Sequence, residues 1–240
     1  VARILAVFLI LLAHPALAGP WPREEGGVFL SFSGERDRDG NSYAGLYTEY
    51  GLSPRTTLGL ELGRANAGET NVMIWWQRAL DRGQGANRFT ISSGLGAVQR
   101  DGEVMPVAQM GAAWGRGLDG LPLLQHIPGG GWLAVEGRVK VAGATETARI
   151  DQGLTSVEIA YLTPETTTKA EVTLGLRPFD RLMLINQFRF EKREDTGFSS
   201  KLATSVVRDL WGPAKVELGV ITPLSGQGEE AVKLGTWFEF

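Results

Sequence analysis

The sequence predicts an all-β chain, a transmembrane antiparallel up-and-down barrel of about twelve strands, with ten or fourteen as the neighbouring even counts. Apolar and polar residues alternate with period two along most of residues 28–240. Mean hydropathy is near neutral at −0.06 and 32 of 240 residues are glycine. Such an average results when lipid-facing apolar residues alternate with polar interior ones. The last eight residues, Lys233-Leu-Gly-Thr-Trp-Phe-Glu-Phe240, continue a strand that sets Val232, Leu234, Phe238 and Phe240 on one face. Exposed to water that face is an aggregation hazard; against lipid it is solvated.

The first eighteen residues read as a secretory leader. Arg3 supplies the basic end, Ile4 to Leu12 the apolar run, and Ala16-Leu17-Ala18 a small-x-small cleavage site. The run is too short for a helix of about 20 residues to cross a bilayer. The domain division is therefore 1–18 leader and 19–240 barrel. Cysteine is absent, which excludes disulfides, thiolate metal sites and a lipid anchor on cysteine. A formal charge of −3 gives no basic field for nucleic acid.

Gly19-Pro-Trp-Pro-Arg-Glu-Glu25 is an irregular lead-in, since two close prolines suit neither helix nor central strand. The first strand sets Val28, Leu30 and Phe32 against Phe29, Ser31 and Ser33, and the polar Glu35 to Asn41 stretch reverses it. The second sets Ala44, Leu46, Thr48 and Tyr50 against Tyr43, Gly45, Tyr47 and Glu49; the third sets Leu58, Leu60 and Leu62 against Thr57, Gly59, Glu61 and Gly63. A fourth places Val72, Ile74 and Trp76 opposite Met73, Trp75 and Gln77, and a fifth places Phe89, Ile91, Leu95 and Ala97 opposite Arg88, Thr90, Ser92, Gly94 and Gly96. The sixth, Val104 to about Trp114, has faces that are hard to tell apart. Gly117 to Gly130, with four glycines and two prolines, is a longer connection.

Further on, Leu133, Val135, Val139 and Val141 face away from Glu136, Arg138 and Lys140. Both Ser156 to Tyr161 and Lys169 to Leu176 look like strands, and counting both gives thirteen, whereas single-chain bacterial barrels have an even number. Turn chemistry decides. The proline-bearing turns Leu52 to Thr56, Arg177 to Arg181 and Leu210 to Ala214, each beside an aromatic (Tyr50, Phe179, Trp211), fall on one side only if Ser156 to Tyr161 is not a separate crossing. That segment is then a long hairpin loop or a strand extension. Leu182, Leu184, Phe188 and Phe190 oppose Arg181, Gln187, Arg189 and Glu191; Val216, Leu218 and Val220 oppose Lys215, Glu217 and Gly219.

With the apolar faces on lipid, the lumen-lining candidates are Glu49, Glu61, Trp75, Arg88, Glu136, Arg138, Lys140, Glu171, Arg189, Lys215, Glu217 and Lys233, joined by Glu239. Two arrangements stay open: a hydrated lumen of mixed field that passes small polar solutes, or acids and bases paired across strands to fill a narrow barrel. Trp75 and Trp76 cannot form one surface, because neighbours in a strand point to opposite faces. Trp76 reads as an interfacial anchor and Trp75 as the candidate for ligand contact.

No catalytic, metal or cofactor motif emerges. The Asp37-Arg-Asp39-Gly-Asn41 stretch lacks the later glutamate of a calcium loop. An outer-membrane hydrolase needs a serine activated by histidine, and the sole histidine beyond the leader, His126, lies in the 117–130 connection.

Lys233, Gly235, Phe238 and Phe240 together resemble the C-terminal insertion signal of bacterial outer-membrane barrels. The resemblance implies export through the periplasm, recognition by the barrel assembly machinery, and contact with outer-membrane lipid and lipopolysaccharide. A narrower resemblance lies in the Trp-Pro lead-in, Glu-Gly-Gly-Val-Phe-Leu-Ser, and Tyr47-Thr-Glu-Tyr-Gly-Leu-Ser-Pro-Arg-Thr-Thr-Leu-Gly-Leu60. These look like the first hairpin of the phenol-degradation meta-pathway outer-membrane family, which implies uptake of small molecules. The expected function is a passive channel or transporter for small solutes. The alternatives are a closed structural or surface-interaction barrel, using Glu35 to Asn41, Gly143 to Thr155 and Glu191 to Phe198, and then a hydrolase.

Overall fold

The computed structural model describes residues 19–240 apart from 84, 101, 123, 125, 153, 154 and 195, and gives the backbone alone for 144–162. The expected leader lies outside the described residues. Twelve antiparallel strands close into one barrel in which each pairs with its neighbours in sequence and the first with the last. They are β1 (Val28–Asp37), β2 (Ser42–Ser53), β3 (Thr56–Ala65), β4 (Thr70–Ala79), β5 (Asn87–Arg100), β6 (Glu103–Gly117), β7 (Gly131–Gln152), β8 (Thr155–Phe179), β9 (Leu182–Arg193), β10 (Gly197–Asp209), β11 (Ala214–Ser225) and β12 (Ala231–Glu239). Closure removes the edges that a transmembrane sheet cannot leave unpaired. The seam runs from Phe29 opposite Glu239 to Asp37 opposite Ala231, and Val28 and Phe240 exchange both backbone hydrogen bonds at 2.9 Å.

Val28 and Phe240 mark what we call the proximal end. The three proline-bearing turns lie there with their aromatics outward, Trp211 and Phe179 being 76% and 66% exposed. The opposite, distal end carries short turns, among them Arg38 to Asn41 with Gly40 at φ 88°, a left-handed conformation that only glycine adopts freely. Between the two ends the outer wall is apolar: Phe32, Leu58, Ile74, Phe89, Leu95, Val139, Phe188, Leu218 and Leu234 are all exposed.

The ambiguous stretch around 143–170 is a strand extension. β7 and β8 remain paired from Gly131 opposite Leu176 to Gln152 opposite Thr155. The pairing of β6 with β7 stops at Ala142, and β9 joins β8 no farther out than Thr167. The two strands therefore leave the wall as a two-stranded ribbon. The loop expected at Gly143 to Thr155 is thus corrected to strand up to Gln152, because the hairpin partner across it supplies the backbone hydrogen bonds that a loop would forgo. The connection after β9 shrinks likewise to 194–196, and that after β1 to 38–41. In β6, whose faces the sequence left unresolved, Met105, Val107, Gln109 and Gly115 are buried inward, while Val104, Met110 and Ala112 are exposed.

Candidate functional site in the barrel interior

Alternation along each strand sends every second side chain into the barrel, and the interior is layered. At the proximal end the lead-in before β1 folds back inside as a floor, which its sequence did not announce. Gly26 and Gly51 tie it to β2, through Gly26 N–H to the Gly51 carbonyl at 2.8 Å and Gly51 N–H to the Gly27 carbonyl at 3.0 Å. Gln77 donates to the Gly19 carbonyl at 2.9 Å. Pro20 and Trp21 sit over Gly115, where a β-carbon would overlap both rings. Trp21 also packs with Trp132, Ala134, Met183 and Val207, joined by Ile185 and Trp237.

Arg23 is the lead-in's charged anchor. Its backbone N–H donates to Thr57 Oγ1 at 2.9 Å, its Nε pairs with Glu49, and its Nη1 reaches Glu239 at 3.3 Å. The guanidinium lies 4.4 Å from the centre of the Phe29 ring, a cation–π contact. Glu49, buried at 4% exposure, also accepts the Tyr47 hydroxyl at 2.6 Å. An aromatic arc follows the wall at this level, from Trp75 stacked on Tyr47 (5.8 Å) through Phe29 to Trp237. A partly open cavity of about 130 Å³ adjoins this level, with Phe29, Trp132, Ile185 and Trp237 as apolar walls and Arg23, Glu136, Gln187, Glu217 and Lys233 as polar ones.

The next layers are charged. Lys233 pairs with Glu217 at 2.8 Å, and Trp237 Nε1 donates to the same carboxylate at 3.1 Å. Back at the level of the floor, by the proximal strand ends, Lys215 lies between Glu239 at 3.1 Å and Asp209 at 3.4 Å. Arg138 and Glu136, two residues apart on β7, meet at 3.2 Å, and Gln187 donates to Glu171 at 2.7 Å. Among the described residues several pairs cross the lumen instead of running along its wall; nearest the distal mouth, Arg193 of β9 lies 3.8 Å from Glu69 in the turn between β3 and β4. Arg189 of β9 reaches Glu35 of β1 at 3.2 Å, and Lys140 of β7 approaches Glu61 of β3 at 3.9 Å; each pair is four strands apart. Near the distal mouth Arg100 bridges Glu69 at 3.1 Å and Glu165 at 3.3 Å.

Glu49, Glu61, Trp75, Glu136, Arg138, Lys140, Glu171, Arg189, Lys215, Glu217 and Lys233 thus all turn inward and meet in these layers. Arg88 has inward parity but is spent elsewhere: it donates to the carbonyls of Gly83 and Gly85 in the turn before β5 and to that of Asn87 at its start. Asp81 of that turn accepts from Gly83 and Phe89 N–H at 2.7 and 2.8 Å. Partial burial pushes the Asp81 carboxyl upward, but those backbone donors and the Arg88 charge outweigh it and hold the group below the ordinary carboxylate value. Of the C-terminal residues, Lys233 and Gly235 point inward, while the Phe238 and Phe240 rings stack outside at 6.5 Å. His126 is exposed in the 118–130 connection at the proximal end. Among the described residues no three His, Asp or Glu side chains gather as metal ligands.

Glu35 and Arg23 are functional residues that the sequence reading missed. Extending the Ser31, Ser33 alternation by one step places Glu35 inside, so that signal was present. The lead-in has no periodicity to read.

No protein-family profile and no curated protein matches the sequence. Solved structures do match. An outer-membrane channel from Pseudomonas putida F1 superposes with a TM-score of 0.60 at 8% identity, over 95% of this chain and 100% of that one. The NanC porin gives 0.57 at 9% identity over 87% and 98%, and the KdgM porin in complex with disordered oligogalacturonate 0.56 at 8% over 88% and 99%. At these identities the likeness is one of fold, and the chain has the closed-barrel architecture of bacterial outer-membrane proteins.

Proposed function

We propose that the chain is a passive outer-membrane channel for small polar solutes, with its proximal end in the periplasm and the lead-in as a non-covalent floor. The Arg189–Glu35 pair carries the reading. It places a partly hydrated ion pair across the lumen towards its distal end, where a barrel built only as a scaffold gains more from apolar filling. The fold likeness to porins and channels supports the same assignment, and the apolar outer belt supports residence in the outer membrane, in contact with its lipids after delivery by the barrel assembly machinery. Mixed charge in each layer favours small polar solutes over strongly charged ones.

The floor made by Trp21, Trp132 and Trp237 favours a second reading, a closed barrel that presents its distal surface to partners. Planar-bilayer recording separates the two. A channel gives discrete conductance steps that grow when residues 20–25 are deleted. Silence from both the intact and the shortened protein, each shown to be folded by heat-modifiable migration, would sink the channel reading.

A further inference from the structure

On the outer wall near the distal rim, Gly34 and Ala44 leave a depression of about 590 Å³ between Val232 and Leu234 on one side and Arg36 and Arg64 on the other. Register fixes its layout. Leu234, Gly34, Ala44 and Arg64 stand in one outward row across β12, β1, β2 and β3, and Val232, Arg36 and Ser42 form the row nearer the rim. Val232 and Leu234 are more than half exposed. The groove is therefore apolar over its floor, with one cation, Arg36, at its distal edge and the other, Arg64, at its β3 side.

The two arginines differ from those inside. Arg23, Arg100, Arg138 and Arg189 are all ion-paired, whereas neither Arg36 nor Arg64 has an ion pair among the described residues. Three nearby carboxylates are engaged elsewhere. Glu35 is held by Arg189 inside, Glu69 by Arg100, and Glu230 by Arg38 at the rim. Both guanidinium groups stand on the face that meets lipid, one residue short of the distal strand ends at Asp37 and Ala65. A cation at that depth reaches to the headgroup layer for its counter-ion, and guanidinium matches phosphate bidentately. Two strands laterally and two residues along separate Arg36 from Arg64, about 12 Å between Cα atoms at standard strand spacings. That span suits two phosphates of one headgroup better than a single phosphate.

We propose that this groove binds a bisphosphorylated glycolipid of the outer leaflet, one phosphate to each arginine and an acyl chain over Gly34 and Ala44. The site rests on the outer-membrane reading for its orientation but not on conduction. Purified protein in detergent is titrated with bisphosphorylated lipid A, with the same lipid stripped of phosphate, and with phosphatidylglycerol, and bound lipid is read by native mass spectrometry alongside the thermal midpoint.

The expected result is one lipid A retained per barrel and a raised midpoint. Binding should fall at least tenfold in the Arg36→Gln/Arg64→Gln double variant and several-fold in Gly34→Leu, which fills the groove and leaves both charges. Arg208→Gln, an outward arginine at the proximal end, should bind as the parent does. Equal binding by the parent and the double variant, equal binding of the dephosphorylated lipid, or arginine-dependent binding of phosphatidylglycerol overturns the site. Bilayer recording on the same preparations keeps the two readings apart: conduction without lipid A binding removes the site alone, and binding without conduction removes the channel alone.

Discussion

Arg189 on β9 and Glu35 on β1 meet at 3.2 Å, although β10, β11 and β12 lie between them along the wall. The pair is a chord across the lumen, and each side chain is about a quarter exposed, so its contribution to stability is small, at most about 1 kcal/mol. In the proposed channel its effect is on permeation. Arg189→Gln is expected to raise single-channel conductance and shift the reversal potential towards cation selectivity, and Glu35→Gln to shift it the opposite way. Reversal potentials in a salt gradient check both signs.

Arg23 and Glu49 behave differently because both are withdrawn from water. Replacing Arg23 with Met leaves the buried Glu49 carboxylate with the Tyr47 hydroxyl as its remaining donor, a loss of about 3 kcal/mol for a broken buried pair. Adding Glu49→Gln to that variant removes the stranded charge and should restore part of the loss. Urea unfolding in lipid vesicles measures the cycle.

Trp75 lies across Gly59, its direct partner on β3, and Trp132 across Gly175 on β8; a β-carbon at either glycine would overlap the indole. Gly59→Val or Gly175→Val should therefore push the ring into the lumen, lower conductance, and cost about 1–3 kcal/mol as overpacking does. Gly137→Ala, which meets nothing within 4 Å, should change neither. Tryptophan emission reports the displaced ring.

Asp81 sets a local acid limit. Its carboxyl is held below the ordinary value when folded, so the stabilisation is complete above the unfolded pKa of about 3.9 and is lost as pH falls through the folded value. Amide exchange at Gly83 and Phe89 should speed up on acidification from neutrality to below pH 4, relative to amides in the wall. In Asp81→Asn the exchange should already be faster at neutral pH and lose that dependence.

Strand number, the side on which each proline-bearing turn falls and the inward or outward sense of the side chains in the clearly alternating strands could be read from the sequence, because in a barrel all three follow from a period of two plus parity; β6, with no clear alternation, could not. Ser156 to Tyr161 shows the method working, since turn chemistry left no room for a thirteenth crossing. Pairing across the lumen lay beyond that reach. Whether Arg189 meets Glu35 or a wall neighbour depends on stagger and on the cross-section of the closed sheet, quantities that no single strand encodes. The interior position of residues 19–25 was equally hidden, since it depends on the space that Gly51 and Gly115 leave on other strands.

In the proposed orientation the β7–β8 ribbon has a bearing on how a cell carrying this protein is perceived. Ten paired rows, from Gly143 opposite Pro164 to Gln152 opposite Thr155, continue beyond the point where both neighbours have left. At about 3.3 Å per residue this paired stretch is some 30 Å long. With the distal end outward, an antibody or a bacteriophage tail encounters this finger before it encounters the pore. Variation imposed by such encounters should gather in the ribbon, while the layers of charge below it stay constant.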